Sequence, residues 1–413
     1  MRRITCVNAR LVGCSLAAIV FLGESCRAQC DAYAVETFQG PFCQFTGFAG
    51  PVPQAINDNG TIVGFFLNCS DNERAFQWTA GPTFATLPNT PGFYSARAYD
   101  LNSSNQIVGR SVLVRNSPIS DGFLFQNGSY LDLGDLMNST EVEPTGINDA
   151  TQICGYTNNS STGPLRAFLW ERGKIRALEL PIGKHARGRA IDNHSNIVGW
   201  MGDLPTFTAF LWIDGNVINI GIPEGSFASE ALAISDTGHI AGQHYIEIEP
   251  GIYRSRGFHW RNGVFTDLGL LPGYDRAFVT GVNDRGEIVG WCQATGQFSA
   301  PFIWRDGVMT DLRTLVDLPP NTILGGAWDI NNQGQIAATG YSPPPNGNAE
   351  DFGYRLTPRS KVLGDYDCNH LVDEADLLGV IERWGPSNGP ADFNDDGLVN
   401  VPDLLTVIVN WTP

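Results

Sequence analysis

A nine-residue pattern, Ile-Asn-Asp-x-Gly-x-Ile-Val-Gly, recurs seven times in this 413-residue chain and constrains most of its fold. The copies begin at Ile56, Leu101, Ile147, Ile191, Ile234, Val282 and Ile330, 43 to 48 residues apart. That period belongs to arrays of small sheets in which each repeat buries its faces against its neighbours. Six copies end on Gly64, Gly109, Gly155, Gly199, Gly242 and Gly290, and the last reaches Gly340 two places late. An aromatic segment follows in each period, as in Arg74-Ala-Phe-Gln-Trp78, Arg166-Ala-Phe-Leu-Trp170 and Thr208-Ala-Phe-Leu-Trp212.

One period reads as four strands. In the sixth, Phe278–Asn283 is the first strand, and Asn-Asp-x-Gly then turns the chain. Asn and Asp bond their own backbone there, and Gly accepts a positive φ. Glu287–Gly290, Pro301–Trp304 and Val308–Leu312 follow, with Asp306-Gly307 as the last turn. Seven such meanders predict a mainly β chain with a seven-bladed β-propeller over residues 29–358. Third strands occur seven times, ending with Phe352–Leu356, but fourth strands follow them only six times. Tyr33–Phe38, ahead of the first repeat, is the expected replacement, closing a ring and removing its exposed edges.

The formal charge of −17 excludes nucleic acid as the expected partner, because that binding rests on Lys and Arg neutralising phosphates. Residues 1–28 read as a signal peptide: Arg2, Arg3 and Arg10, an apolar run from Leu11 to Gly23, and Cys26-Arg27-Ala28 at the cleavage site. Its apolar run rises only ~20 Å as a helix, short of the ~30 Å a bilayer needs. With no second apolar run, no membrane span is expected and the protein should be extracellular or on the cell surface. Cleavage leaves six scattered Cys; Cys154 replaces a buried Val, and Cys30 with Cys43 is the expected bridge.

The repeat phrasing resembles the HAF family of bacterial extracellular repeats. The match rests on Ile147-Asn-Asp149, Gln152-Ile-Cys-Gly155, Arg166-Ala-Phe-Leu-Trp170 and Gly307–Leu312, and spans roughly residues 31–358. Asp192 and Ser235 replace the repeat Asn, and Ala338 stands where Gly is expected. The resemblance implies export and a repeat fold and says little about activity.

The last fifty residues carry two loops with the oxygen-ligand spacing of a calcium site. The first places Asp365, Asp367, Asn369, Leu371 (through its carbonyl), Asp373 and Asp376 at positions 1, 3, 5, 7, 9 and 12. The second places Asp392, Asn394, Asp396, Leu398 (again by its carbonyl), Asn400 and Asp403 there. Oxygen ligands in this number suit a hard cation of calcium size, so two calcium ions are expected. His370 holds the sharp-turn position where the second loop keeps Gly397, which makes the second loop the expected tighter site. Leu377, Leu378, Ile381 and Trp384 after one loop, and Leu404, Leu405, Ile408 and Trp411 after the other, are spaced to pack helix against helix. Residues 364–411 are thus similar to a type I dockerin, which implies a small all-α calcium module over 359–413 and a cohesin-like protein partner. Glu374-Ala375 and Val401-Pro402 depart from the Ser/Thr pairs that meet cellulosomal partners.

No catalytic constellation stands out. The six His are scattered, with His259 expected to pack within a repeat strand, and phosphate-binding Gly-rich loops with Lys are absent. Phe65, Tyr156, Trp200, Trp291 and Tyr341 fall after the repeat Gly, where packing between repeats competes with stacking on sugar rings. Trp78, Trp170, Trp212, Trp260 and Trp304 lie within third strands and are expected in the core. The resulting expectation is a secreted, non-enzymatic, calcium-binding protein: a propeller acting as a binding or structural platform, with a glycan as candidate ligand on one face, and a dockerin-like module as a tether. A polysaccharide-degrading hydrolase or lyase carrying a dockerin is the alternative.

Overall fold

The computed structural model describes residues 33–40, 50–68, 70, 72–88, 92–113, 119–136, 139–158, 163–181, 183, 185–342, 350–359, 364–366, 372–386, 391–394 and 396–412. The segment 1–28, expected as a signal peptide, and Cys30, Cys43, Cys69 and Cys368 lie outside them, while Cys154 and Cys292 are buried free thiols. The chain divides into a large unit, residues 31–359, and a smaller one containing residues 360–413.

The large unit consists of seven four-stranded antiparallel meanders among the described residues, spanning 52–86, 95–132, 141–177, 185–221, 228–267, 276–311 and 323–358. The second and third are linked by a single parallel pair, Ser120 with Glu141. In the last meander the outer strand is Tyr33–Phe38, paired antiparallel with the strand Glu350–Pro358 from Tyr33↔Pro358 to Phe38↔Gly353. Tyr33 and Phe38 anchor it: both are buried, and Phe38 stacks on Trp78 of the first meander at 4.6 Å. The seventh meander also reaches the first through Asn331 Nδ2 to the Asn57 carbonyl at 2.8 Å. The meanders therefore form a closed ring, a β-propeller in architecture.

Two repeat residues make this packing possible. A Cβ on Gly155 would lie 2.1 Å from the Glu143 carbonyl and 2.8 Å from the Phe168 ring. Gly64, Gly109, Gly199, Gly242 and Gly290 meet the same pair, an innermost-strand carbonyl and the Phe of the following aromatic segment. The recurrent Gly and Phe are thus complementary shapes, and Ile, Val, Phe and Trp around them build the core between meanders. In the last copy Ala338 pairs with Tyr354, and Gly340 takes over the close approach to the Ile323 carbonyl. That copy is irregular because its first strand, Ile323–Ile330, carries two register shifts where the other first strands carry one.

The repeat Asn does more than close its own turn. In the third copy Asn148 Oδ1 accepts the Gln152 N–H at 2.9 Å, while Nδ2 donates to the Asp192 carbonyl of the next meander at 3.0 Å. Asn57, Asn102, Asn283 and Asn331 donate to the next copy in the same way. At the two departures the Asn donation is absent: Asp192 has no donor, and what remains is the contact one residue on, Asn193 to Asp236 through its backbone N–H and side chain, as Asn332 also makes to Asp58. Ser235 is too short, and Thr237 Oγ1 donates instead to the Asp284 carbonyl at 2.8 Å.

Candidate functional site

The first strand of every meander lines the ring axis, and each has a register shift two residues before its terminal repeat residue. A bulge there re-aims a side chain. Gln54, Tyr99, Thr145, Arg189, Leu232 and Thr280, all at that position, border a central cavity of about 280 Å³. Asp100 and Asp329 face the same cavity, half-buried. Asp100 accepts N–H groups from Leu101 and, across the seam, from Ile147, both at 2.8 Å. Asp329 accepts likewise from Ile330 and from Ile56 of the first meander. Burial pushes their carboxyls up, to about 7 and about 8, against the pull of those N–H groups. The Asp100 carboxylate also raises the cost of charging Asp329.

Charges gather at the end of the ring away from the Asn–Asp turns. Arg97, Glu143, Arg187 and Glu230 occupy one position, four residues before the terminal residue of their strands. Their cross-strand partners are Arg110, Tyr156, Trp200 and Gln243. Three guanidinium–carboxylate pairs form here: Arg97 with Glu73, Arg110 with Glu143 at 2.5 Å, and Arg189 with Glu230 at 3.0 Å. Tyr245 adds its hydroxyl to Glu230. The fourth guanidinium, Arg187, lies 4.3 Å over the Tyr156 ring and 5.8 Å from that of Trp200. It has no carboxylate partner among the described residues, and its Nε is buried without a hydrogen bond.

The aromatic residues after the repeat Gly differ in exposure. Trp200 is buried, whereas Phe65, Tyr156, Trp291 and Tyr341 are half-buried, with Arg97 4.3 Å over Phe65. Of the third-strand series, Trp78, Trp170, Trp212 and Trp304 are core and Trp260 is half-buried. His259 packs between His239 and Trp304, with its Nε2 2.8 Å from His239 Nδ1. Burial, and then the neighbouring His239 and Arg261, lower its pKa to about 4, so its imidazole is neutral at pH 7, and burial lowers His239 as well. The charged mouth was missed in the sequence, although Arg, Glu and Tyr at the two recurring first-strand positions are a legible signal there.

In the smaller unit the two loops are followed by helices α1 (Glu374–Glu382) and α2 (Val401–Val409). Of the proposed ligands, Asp367, Asn369 and Leu371, with the neighbouring His370, lie outside the described residues. The remaining parts of the two loops repeat one geometry. Asp376 accepts N–H groups from Tyr366 and Asp373, and Asp403 accepts them from Phe393 and Asn400. Asp365 and Asp376 of the first loop are buried, as are Asp392 and Asp403 of the second. Gly397, at φ +83°, donates its N–H to Asp392 at 2.8 Å, and Asp396 accepts from Leu398. Asn400 accepts no well-formed hydrogen bond on its buried Oδ1. Among the described residues no three His, Cys, Asp or Glu side chains converge as a metal group; the carboxylates of Asp392 and Asp403, with no cationic side chain beside them, have the oxygen chemistry that a hard divalent ion takes.

The helix faces require a correction. Only Leu377 and Leu404 join the small core, beside Val372, Val380, Val399 and Val407. Leu378, Ile381, Trp384, Leu405, Ile408 and Trp411 are each 42–51% exposed. The reason is the buried Asp376 and Asp403, which must reach back to their loops and so turn the faces bearing Val380 and Val407 inward.

Neither a family model nor a curated protein matches the chain. Among solved structures it is similar to TolB from Acinetobacter baumannii (TM-score 0.42, 12% identity, 60% of this chain and 61% of that one). It is also similar to a structure from a study of two prolyl endopeptidases (TM-score 0.50, 8% identity, 80% of this chain and 51% of that one). A third is the β-propeller domain of the Trilobed protease from Pyrococcus furiosus (TM-score 0.47, 13% identity, 76% and 94%). The chain thus spans less than two thirds of the first two, and at these identities the likeness concerns fold alone.

Proposed function

We propose that this chain is an exported, non-enzymatic binding platform: a seven-bladed HAF-type propeller that holds a glycan, with a calcium-ordered, dockerin-like module that tethers it. The observation that carries the platform reading is the mouth of the ring, where aromatic rings and fixed polar groups share one surface. Such a mixture recognises sugars, whose rings stack on aromatic faces and whose hydroxyls need both donors and acceptors. Glu73, Glu143 and Glu230 are each tied to an Arg, an arrangement for holding a ligand and not for a proton-exchanging carboxylate pair.

The tether reading rests on the two repeated loops and on the exposed apolar residues beside them. Leu378, Ile381 and Trp384 recur as Leu405, Ile408 and Trp411 at equal spacing, a duplicated apolar surface suited to a cohesin-like protein. The test is a glycan array probed with the full chain, followed by reducing-sugar release on every glycan retained. Retention without release is expected; release of sugar ends would replace this reading with that of a hydrolase or lyase.

A further inference from the structure

From the Arg187 mouth we infer that the glycan is acidic: a sugar chain bearing carboxylates, one of which pairs with Arg187. This rests on the glycan reading above and narrows it. Of the four guanidinium groups at the mouth, three have their charge matched by Glu73, Glu143 and Glu230. Arg187 alone lacks a carboxylate among the described residues, although Glu141 begins the neighbouring strand Glu141–Ile147. Its guanidinium is held by the Tyr156 ring at 4.3 Å, so the donor fork is oriented before a ligand arrives. A planar carboxylate is the complementary partner for such a fork.

The surroundings argue for a chain of sugars and not for a small anion. From Arg187 a run of ring contacts leads outward across the fourth and fifth meanders. Trp200 meets Phe207 at 4.9 Å, Phe207 meets Tyr245 at 5.8 Å, and Tyr245 meets Phe227 at 6.2 Å. Phe227 then meets the exposed Tyr253 at 4.9 Å. Phe207 also borders an open groove lined by Met201, Thr208 and Asn219. Successive rings starting from an unmatched cation suit an extended ligand with one anchored charge and several stacked faces.

The test uses the full chain in affinity electrophoresis through gels containing polygalacturonate, its carboxyl-reduced neutral counterpart, or a sulfated galactan. The wild type should bind polygalacturonate at least tenfold tighter than the carboxyl-reduced polymer, with affinity falling as salt rises. Arg187→Gln should abolish that preference, Arg187→Lys should keep part of it, and Phe227→Ala should weaken both polymers equally. Stronger binding to the sulfated galactan would replace the carboxylate by a sulfate ester. Equal binding to acidic and neutral polymers, or an unchanged preference in Arg187→Gln, would overturn the inference and leave the glycan reading standing. Binding to none of the three, with none on the array, would remove both.

Discussion

The repeat Asn is the residue whose role the structure changes most, and Asn148 isolates that role. Its Oδ1 closes the local turn by accepting from Gln152, while its Nδ2 donates to Gln152 Oε1 at 2.8 Å and to the buried Asp192 carbonyl at 3.0 Å. Asn148→Asp keeps the acceptor and deletes only the donor. A net hydrogen bond contributes about 1 kcal/mol, so losing two donations costs about 2 kcal/mol, and Asn148→Ala, which also orphans the Gln152 N–H, about 3 kcal/mol. Facing oxygens add to the first figure until Gln152 flips its amide. Asp192 already lives with that arrangement, because its +4 residue, Asn196, donates Nδ2 to Asp192 Oδ2 at 2.8 Å. The double change Asn148→Asp with Gln152→Asn copies this pair and should recover about 1 kcal/mol of the loss. Urea unfolding followed by tryptophan fluorescence reads all three variants. If Asn148→Asp unfolds within about 0.5 kcal/mol of the wild type, the Asn acts only in its own turn and the inter-meander clamp is wrong.

Three further outcomes follow from the same geometry. Phe38→Ala empties a fully buried site at the closing seam and should cost about 3–5 kcal/mol, while removal of residues 33–40 should leave a chain that aggregates; a truncated chain melting like the parent would contradict ring closure by that strand. Asp100 and Asp329 have carboxyls raised to about 7 and about 8, so the folded state binds more protons than the unfolded state above pH ~4. Their contribution to stability should therefore be full in acid and be lost as pH rises towards 8, and Asp100→Asn with Asp329→Asn should flatten the melting profile over that range. Asp392→Ala should remove the tighter calcium-binding step in calorimetry, and a larger effect from Asp365→Ala would reverse the ranking of the loops.

Much of the large unit was legible because its repeat is built from residues with narrow conformational roles. The turn Asn, the strand Ile-Val and the aromatic segment mark where each meander bends and pairs, and the strand count pointed to Tyr33–Phe38. The cross-meander half of Asn148 was not legible, since a donor aimed at a residue 44 positions away leaves no local pattern. The mouth escaped for a related reason: Arg97, Glu143, Arg187 and Glu230 share one repeat position but differ in charge, and their pairing with Glu73, Arg110 and Arg189 exists only once the ring brings their strands together. In the helices, spacing identified an amphipathic segment but not its rotation, which Asp376 and Asp403 set through their loops.

The central claim, a platform joined to a separately calcium-ordered module, is tested most directly by scanning calorimetry of the full chain in calcium and in excess chelator. Calcium binding should supply much of the stability of so small a unit, whereas the ring has its own core between every pair of meanders. The account predicts a minor transition that disappears in chelator while the main one stays at the same temperature. A main transition that falls with the chelator, or a scan that chelator leaves unchanged, would contradict it.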